Sequence, residues 1–189
     1  MGNVELYNTL IKNGYTEVWL PEMEFLSPDQ MEYRKQLWSD TLHMDDLTVF
    51  AIDGYGNLFA WKDNDCVVFI DIGPGKCEDF SLSLADAIYR RIIEFSNGDY
   101  VEMCSNKEKA ELDPDDAEYY TSEDDAVELL KQYLKTFGAF FTKEQRNYIE
   151  LLIQQGFLPD TNAFITEEEL MRTIRDLINT DNSKCSDLK

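Results

Sequence analysis

Between Leu47 and Gly73 the chain reads LTVFAIDGYGNLFAWKDNDCVVFIDIG, three β-rich runs separated by short Asp/Gly/Asn turns. No other stretch restricts the fold as much, because runs joined this tightly must pair as an antiparallel meander. Asp53, Gly54, Gly56 and Asn57 close the first hairpin, and Asp63, Asn64 and Asp65 close the second. The runs VFAI, LFAW and CVVFIDI are apolar at both alternating parities, so both faces of the sheet should be covered, one of them by a helix. The segment SLSLADAIYRRIIEF supplies that helix, with Leu84, Ile88, Ile92 and Phe95 on one stripe, Ser83 as N-cap and Asp86 at N3. Gly98-Asp99 ends it, and YVEM (101–103 with Tyr100) adds a short strand.

The flanking segments are helical where capping residues precede an apolar period. Leu6, Leu10 and Ile11 mark a first helix that stops at Gly14, and the stretch from Tyr15 to Leu26 reads as extended around Pro21. Ser27-Pro28-Asp29-Gln30 starts a second helix that runs to about residue 40 and should bury Met31, the Arg34 stem, Leu37 and Trp38. Later helices are announced by Ser122 with Asp125, Thr142 with Gln145, and Thr166 with Glu169. Their stripes are Ala126, Leu129, Leu130, Tyr133, Leu134 and Phe137, then Tyr148, Leu151 and Leu152, then Leu170, Ile174, Leu177 and Ile178, with Gly138 and Gly156 as stops. The fold class is therefore α+β, an antiparallel sheet of about four to six strands flanked by helices, with a helical C-terminal extension. The expected organisation is an α+β core over 1–105, an acidic linker and helical extension over 106–180, and a disordered tail over 181–189.

Charge sets the expected partner. The 189 residues include 38 acidic and 17 basic side chains, a formal net charge of -21, which disfavours nucleic acid and anionic membranes and favours a basic partner. Solubility alone is the plainer explanation of such an excess. No stretch approaches membrane-spanning length and the N-terminus lacks a basic region ahead of an apolar run, so a cytoplasmic location is expected. The four cysteines, Cys66, Cys77, Cys104 and Cys185, show no CxxC spacing, and reduced structural thiols are the expected state.

Chemistry at a catalytic centre has little to build on. His43 is the single histidine, which rules out a two-histidine metal site and leaves at most one imidazole base, set in a short linker. Asp113, Asp115, Asp116 and Glu118 evoke a calcium loop, but Pro114 and the missing obligatory Gly break the EF-hand pattern. No catalytic residue, metal site or cofactor is assigned. A carboxylate-dependent hydrolase is the enzymatic alternative, with no pair of acids marked out among 38.

Binding has better candidates. Tyr55 sits at a glycine-flanked hairpin tip and is the preferred aromatic contact, with Asp53 and Asn57 beside it in sequence and Glu78 and Asp79 as further candidate contacts. From Asn106 to Asp125, nine of twenty residues are acids, among them Asp113, Asp115, Asp116, Glu118, Asp124 and Asp125. Arrayed carboxylates of this kind imitate the phosphates that a cationic protein expects and steer its approach, whereas the plainer reading is a solvated loop.

The segments FAIDGYGNLFAW, VVFIDI, SLSLADAIYRRI, LPEMEF and YRKQL together resemble the SUKH superfamily, which includes cell-wall-synthesis regulators and bacterial toxin-immunity proteins. The resemblance spans roughly the first hundred residues. Trp38-Ser39-Asp40 replaces the NGG turn usual after the YRxxL helix, which leaves open a related immunity family with a similar hairpin. The likeness implies a protein that binds a toxin domain and blocks it stoichiometrically, or else a non-enzymatic regulatory scaffold, and the net charge makes a basic toxin the expected partner.

Overall fold

A computed structural model describes residues 1–62 and 66–178 of the chain. Two compact units are present, one made of Met1–Arg90 with the segment from Ile174, the other of Arg91–Thr173. The division falls inside one helix, whereas the sequence alone placed it after residue 105. A strand in the expected core pairs with one in the expected linker, and that pairing moves the boundary.

The first unit holds α1 (Asn3–Lys12), a 3-10 turn (Tyr15–Glu17), β1 (Glu24–Phe25), α2 (Pro28–Ser39), β2 (Leu47–Ile52), β3 (Leu58–Lys62), β4 (Cys66–Asp71), β5 (Lys76–Ser81) and the start of α3 (Leu84–Ser96). Its strands form one antiparallel sheet in the order β1-β2-β3-β4-β5. The expected meander is thus present, extended by β1 at one edge and β5 at the other. The turn assigned to Asp63, Asn64 and Asp65 and the tail over 181–189 lie outside the described residues.

A register shift between Val49 and Ala51 explains why VFAI is apolar at both parities. The extra residue lets Val49 and Ile52 join Leu47, Leu58, Ala60, Val68 and Ile70 in one cluster. Phe50 then serves the other aromatic layer, stacking on Trp61 at 4.9 Å and 14°. Phe59 continues that layer, 5.1 Å from the rings of both Phe69 and Phe80. Tyr7 of α1 meets Trp61 edge-on at 5.7 Å, and its hydroxyl donates to the Leu26 carbonyl. The first cluster is closed by Leu26, Leu42 and Met44, with Met31 and Trp38 of α2 packed against it.

Local capping fixes the helix ends as the sequence predicts. Ser27 and Gln30 form a reciprocal capping box with Pro28 at N1, and Ser83 accepts from the Asp86 N–H at 3.2 Å. The expected stripe of Leu84, Ile88, Ile92 and Phe95 is fully buried. On α2, by contrast, Leu37 is exposed and no residue is fully buried, a correction to its predicted stripe. Met31 and Trp38 are the hydrophobic side chains of α2 that pack, half-buried, against the cluster on the sheet.

The second unit continues α3 and adds β6 (Glu102–Cys104), α4 (Asn106–Glu111), α5 (Pro114–Ala117), β7 (Tyr120–Ser122), α6 (Glu123–Phe137), α7 (Lys143–Gln155) and most of α8 (Glu167–Leu177). The strands β6 and β7 pair in parallel, Met103 opposite Thr121, and α4 and α5 form the crossover that a parallel pair requires. Ala126, Leu130, Tyr133 and Phe137 of α6 are buried, and Tyr133 meets Phe95 edge-on at 5.8 Å. On α7 the buried pair is Ile149 and Leu152, and Leu151 faces out, so the expected stripe is displaced by one position. Gly138 keeps a right-handed backbone and opens a short 3-10 turn (Gly138–Phe140) instead of a left-handed stop. Cys66 and Cys104 are free thiols, and the expectation for Cys185 lies outside the described residues.

Candidate functional site

The hairpin between β2 and β3 is built around one carboxylate. Asp53 Oδ1 accepts the N–H groups of Tyr55 at 2.9 Å and Asn57 at 2.8 Å, while Asp53 Oδ2 accepts from Asn57 Nδ2 at 2.9 Å. The backbone closes the loop through Gly56 N–H to the Asp53 carbonyl and Asp53 N–H to the Asn57 carbonyl. Gly56 takes φ +85, a conformation that favours glycine. Asn57 Oδ1 accepts the Ile72 N–H at 3.2 Å, and Glu22 Oε2 accepts the Gly54 N–H at 2.8 Å. A Cβ on Gly54 would stand 3.0 Å from that Glu22 oxygen. The tip is therefore tied to the residue that follows β4 and to the segment before β1, and it presents Tyr55 with 87% of its surface exposed.

Of the expected contact residues, Asp53 and Asn57 thus hold the turn and Tyr55 projects from it. Glu78 is exposed on β5, where it pairs with Lys76. Asp79 on the same strand turns Oδ1 to a buried position with no hydrogen-bond partner among the described residues.

Beside the hairpin lies a feature that periodicity could not mark. Residues between Gly14 and Gln30, with Ile11, Ile52, Asp53 and Gly54, line a groove of about 720 Å³. Glu17, Glu22, Glu24 and Asp53 are among its lining residues and no Lys, Arg or His is. Trp19 also lines it, with 52% of its surface exposed. The alternation of acids and apolar residues in EVWLPEME (17–24) was the available signal.

The acidic block of the second unit is ordered, and several of its carboxylates have structural duties. Ser105 and Glu108 form a capping box at α4, and Asp113 caps α5. Asp125 accepts from Ser122 Oγ at 2.7 Å and from Lys109 Nζ at 2.7 Å. Glu123 Oε1 accepts the Phe157 N–H at 2.8 Å. Asp115, Asp116, Glu118 and Asp124 are exposed. Asp115 and Asp116 in the first turn of α5, and Asp124 in that of α6, complement the positive helix ends. The solvated-loop expectation gives way here to short, capped helices.

The hydrogen bond from Lys109, then that from Ser122, holds the Asp125 carboxyl below the usual carboxylate range. A depressed folded pKa contributes stability that is complete above the unfolded value of about 3.9 and is lost as pH falls through the folded one. Asp125→Asn should therefore lower stability at pH 7 and reduce the loss seen on acidification below about pH 4. Urea denaturation at pH 7 and pH 3 measures both, and an unchanged acid loss would contradict the assignment.

His43 is exposed between the buried Leu42 and Met44. Burial pushes the Cys104 thiol up, away from thiolate. Among the described residues no group of three or more His, Cys, Asp and Glu side chains is placed to hold a metal ion, and no helix is long and apolar enough to cross a membrane. No family model, curated protein or solved structure matches the chain.

Proposed function

We propose that this protein is an immunity-type inhibitor that neutralises a cognate, basic bacterial toxin domain in the cytoplasm by one-to-one protein–protein binding. The observation that carries the reading is the Tyr55 hairpin, an exposed aromatic on a turn fixed by Asp53, Asn57 and Glu22. Such a tip meets a partner with little ordering cost, which is what favours aromatic residues at binding hot spots. The formal charge of -21 supplies attraction to a cationic partner at long range. The likeness to SUKH immunity proteins in the first hundred residues supports the same reading, and no catalytic residue, cofactor or metal enters it.

Tyr55→Ala should weaken the complex with the toxin encoded beside this protein by about 100-fold, roughly 2.7 kcal/mol, with little change in folding stability. Surface plasmon resonance on the two proteins measures it, and an affinity unchanged within about threefold would remove the hairpin from the interface. Raising salt from 50 to 500 mM should slow association far more than dissociation. The scaffold alternative predicts no such complex with a toxin and retention of a different protein partner.

A further inference from the structure

The groove beside the hairpin is lined by apolar and anionic side chains together. Trp19, Met23 and Phe25 contribute apolar surface, while Glu17, Glu22, Glu24 and Asp53 contribute carboxylates, unopposed by any cationic lining residue. Its volume of about 720 Å³ falls within the range of roughly 300–1,000 Å³ usual for ligand clefts. Two of these carboxylates are already committed, Asp53 to the turn it closes and Glu22 to the Gly54 N–H, and Glu22 holds a left-handed backbone at φ +48. That residue therefore shapes the groove wall and couples it to the hairpin.

From this arrangement we infer that the groove is a docking site for an extended, arginine-bearing segment of a protein partner. A guanidinium lying on the Trp19 indole would gain cation–π attraction, and Glu17 and Glu24 would supply the acceptors. Arginine suits the site better than lysine, because its planar, weakly hydrated head stacks on an aromatic face while its fork meets a carboxylate. The inference deepens the inhibitor reading and rests on it only for the partner's identity, since the groove's preference for arginine is a property of this chain alone.

The test uses the full chain and a short synthetic peptide alternating glycine and arginine, blocked at both ends. Its comparator carries neutral citrulline in place of each arginine. The Trp19 indole N–H resonance, assigned with Trp19→Phe, should shift saturably with the arginine peptide and not with the citrulline one. Glu17→Gln combined with Glu24→Gln should weaken that binding on the order of tenfold, while Asp115→Asn combined with Asp116→Asn should leave it unchanged. No Trp19 shift at millimolar peptide, or shifts centred on residues 113–125, would overturn the inference. Toxin binding that depends on Tyr55 but ignores the Glu17/Glu24 pair would also sink the groove while leaving the inhibitor reading intact. A groove that takes the peptide in a protein that binds no toxin would do the reverse.

Discussion

Gly156→Ala should cost about 3–5 kcal/mol, more than surface glycine substitutions normally do. Gly156 ends α7 at φ 67 and ψ -158, a region of backbone space that is essentially closed to residues with a Cβ. A Cβ built there would stand 2.3 Å from Glu123 Oε1, inside any contact distance, so the carboxylate must leave. Its departure breaks the bond to the Phe157 N–H that joins the N-terminus of α6 to the C-terminus of α7. Backbone strain of about 1–3 kcal/mol and loss of a charged hydrogen bond worth roughly 1.5–3 kcal/mol account for the sum. Urea denaturation followed by far-ultraviolet circular dichroism measures it. Glu123→Ala in the same chain removes the collision, so the double variant should be less unstable than the sum of the singles by more than about 1 kcal/mol. A loss for Gly156→Ala below about 1 kcal/mol would contradict the close approach.

Arg91→Met should destabilise the second unit by about 3–5 kcal/mol, because it takes the ion-pair partner from a buried carboxylate. The Arg91 guanidinium and the Glu94 carboxylate lie 2.7 Å apart on α3, with side chains only 4% exposed each. Arg91 also stands 5.1 Å over the Tyr100 ring. Met keeps most of the apolar stem and removes the charge, so the effect reports the pair and not a cavity. Changing both partners, Arg91→Met with Glu94→Leu, should recover most of the loss, since a buried pair seldom outperforms an apolar one of similar volume. Equal losses in the single and the double variants would show that the pair is not what holds this part of α3.

Features of the fold that depend on near neighbours were legible in the sequence. Ser27, Ser83, Ser122 and Thr142 cap where a hydroxyl precedes an apolar period, and Thr166 bonds the Glu169 N–H in the same way. The DGYGN turn was legible for the same reason. β5 was not, because KCEDFS carries the charges that discourage pairing at a sheet edge. The parallel pairing of β6 with β7 was hidden as well, since three residues each cannot signal a partner beyond two intervening helices.

The candidate site shows the same divide. Tyr55 and its turn follow from local chemistry, and their exposure was expected. The groove depends on Glu22 reaching Gly54, 32 residues away in sequence, and on a segment whose elements are too short to show a period. Within the acidic block, composition foretold charge but not the pairing of Asp125 with Lys109 or of Glu123 with the Phe157 amide. Those contacts give part of the block a structural purpose, and they shift attention for binding toward the first unit.

The central claim is inhibition by stoichiometric occupancy, and titrating the purified toxin's activity with this protein tests it most directly. The account predicts that activity falls linearly and reaches zero at one equivalent, with the complex persisting on size-exclusion chromatography. Full toxin activity at a large excess of this protein, or inhibition at far below one equivalent, would contradict it.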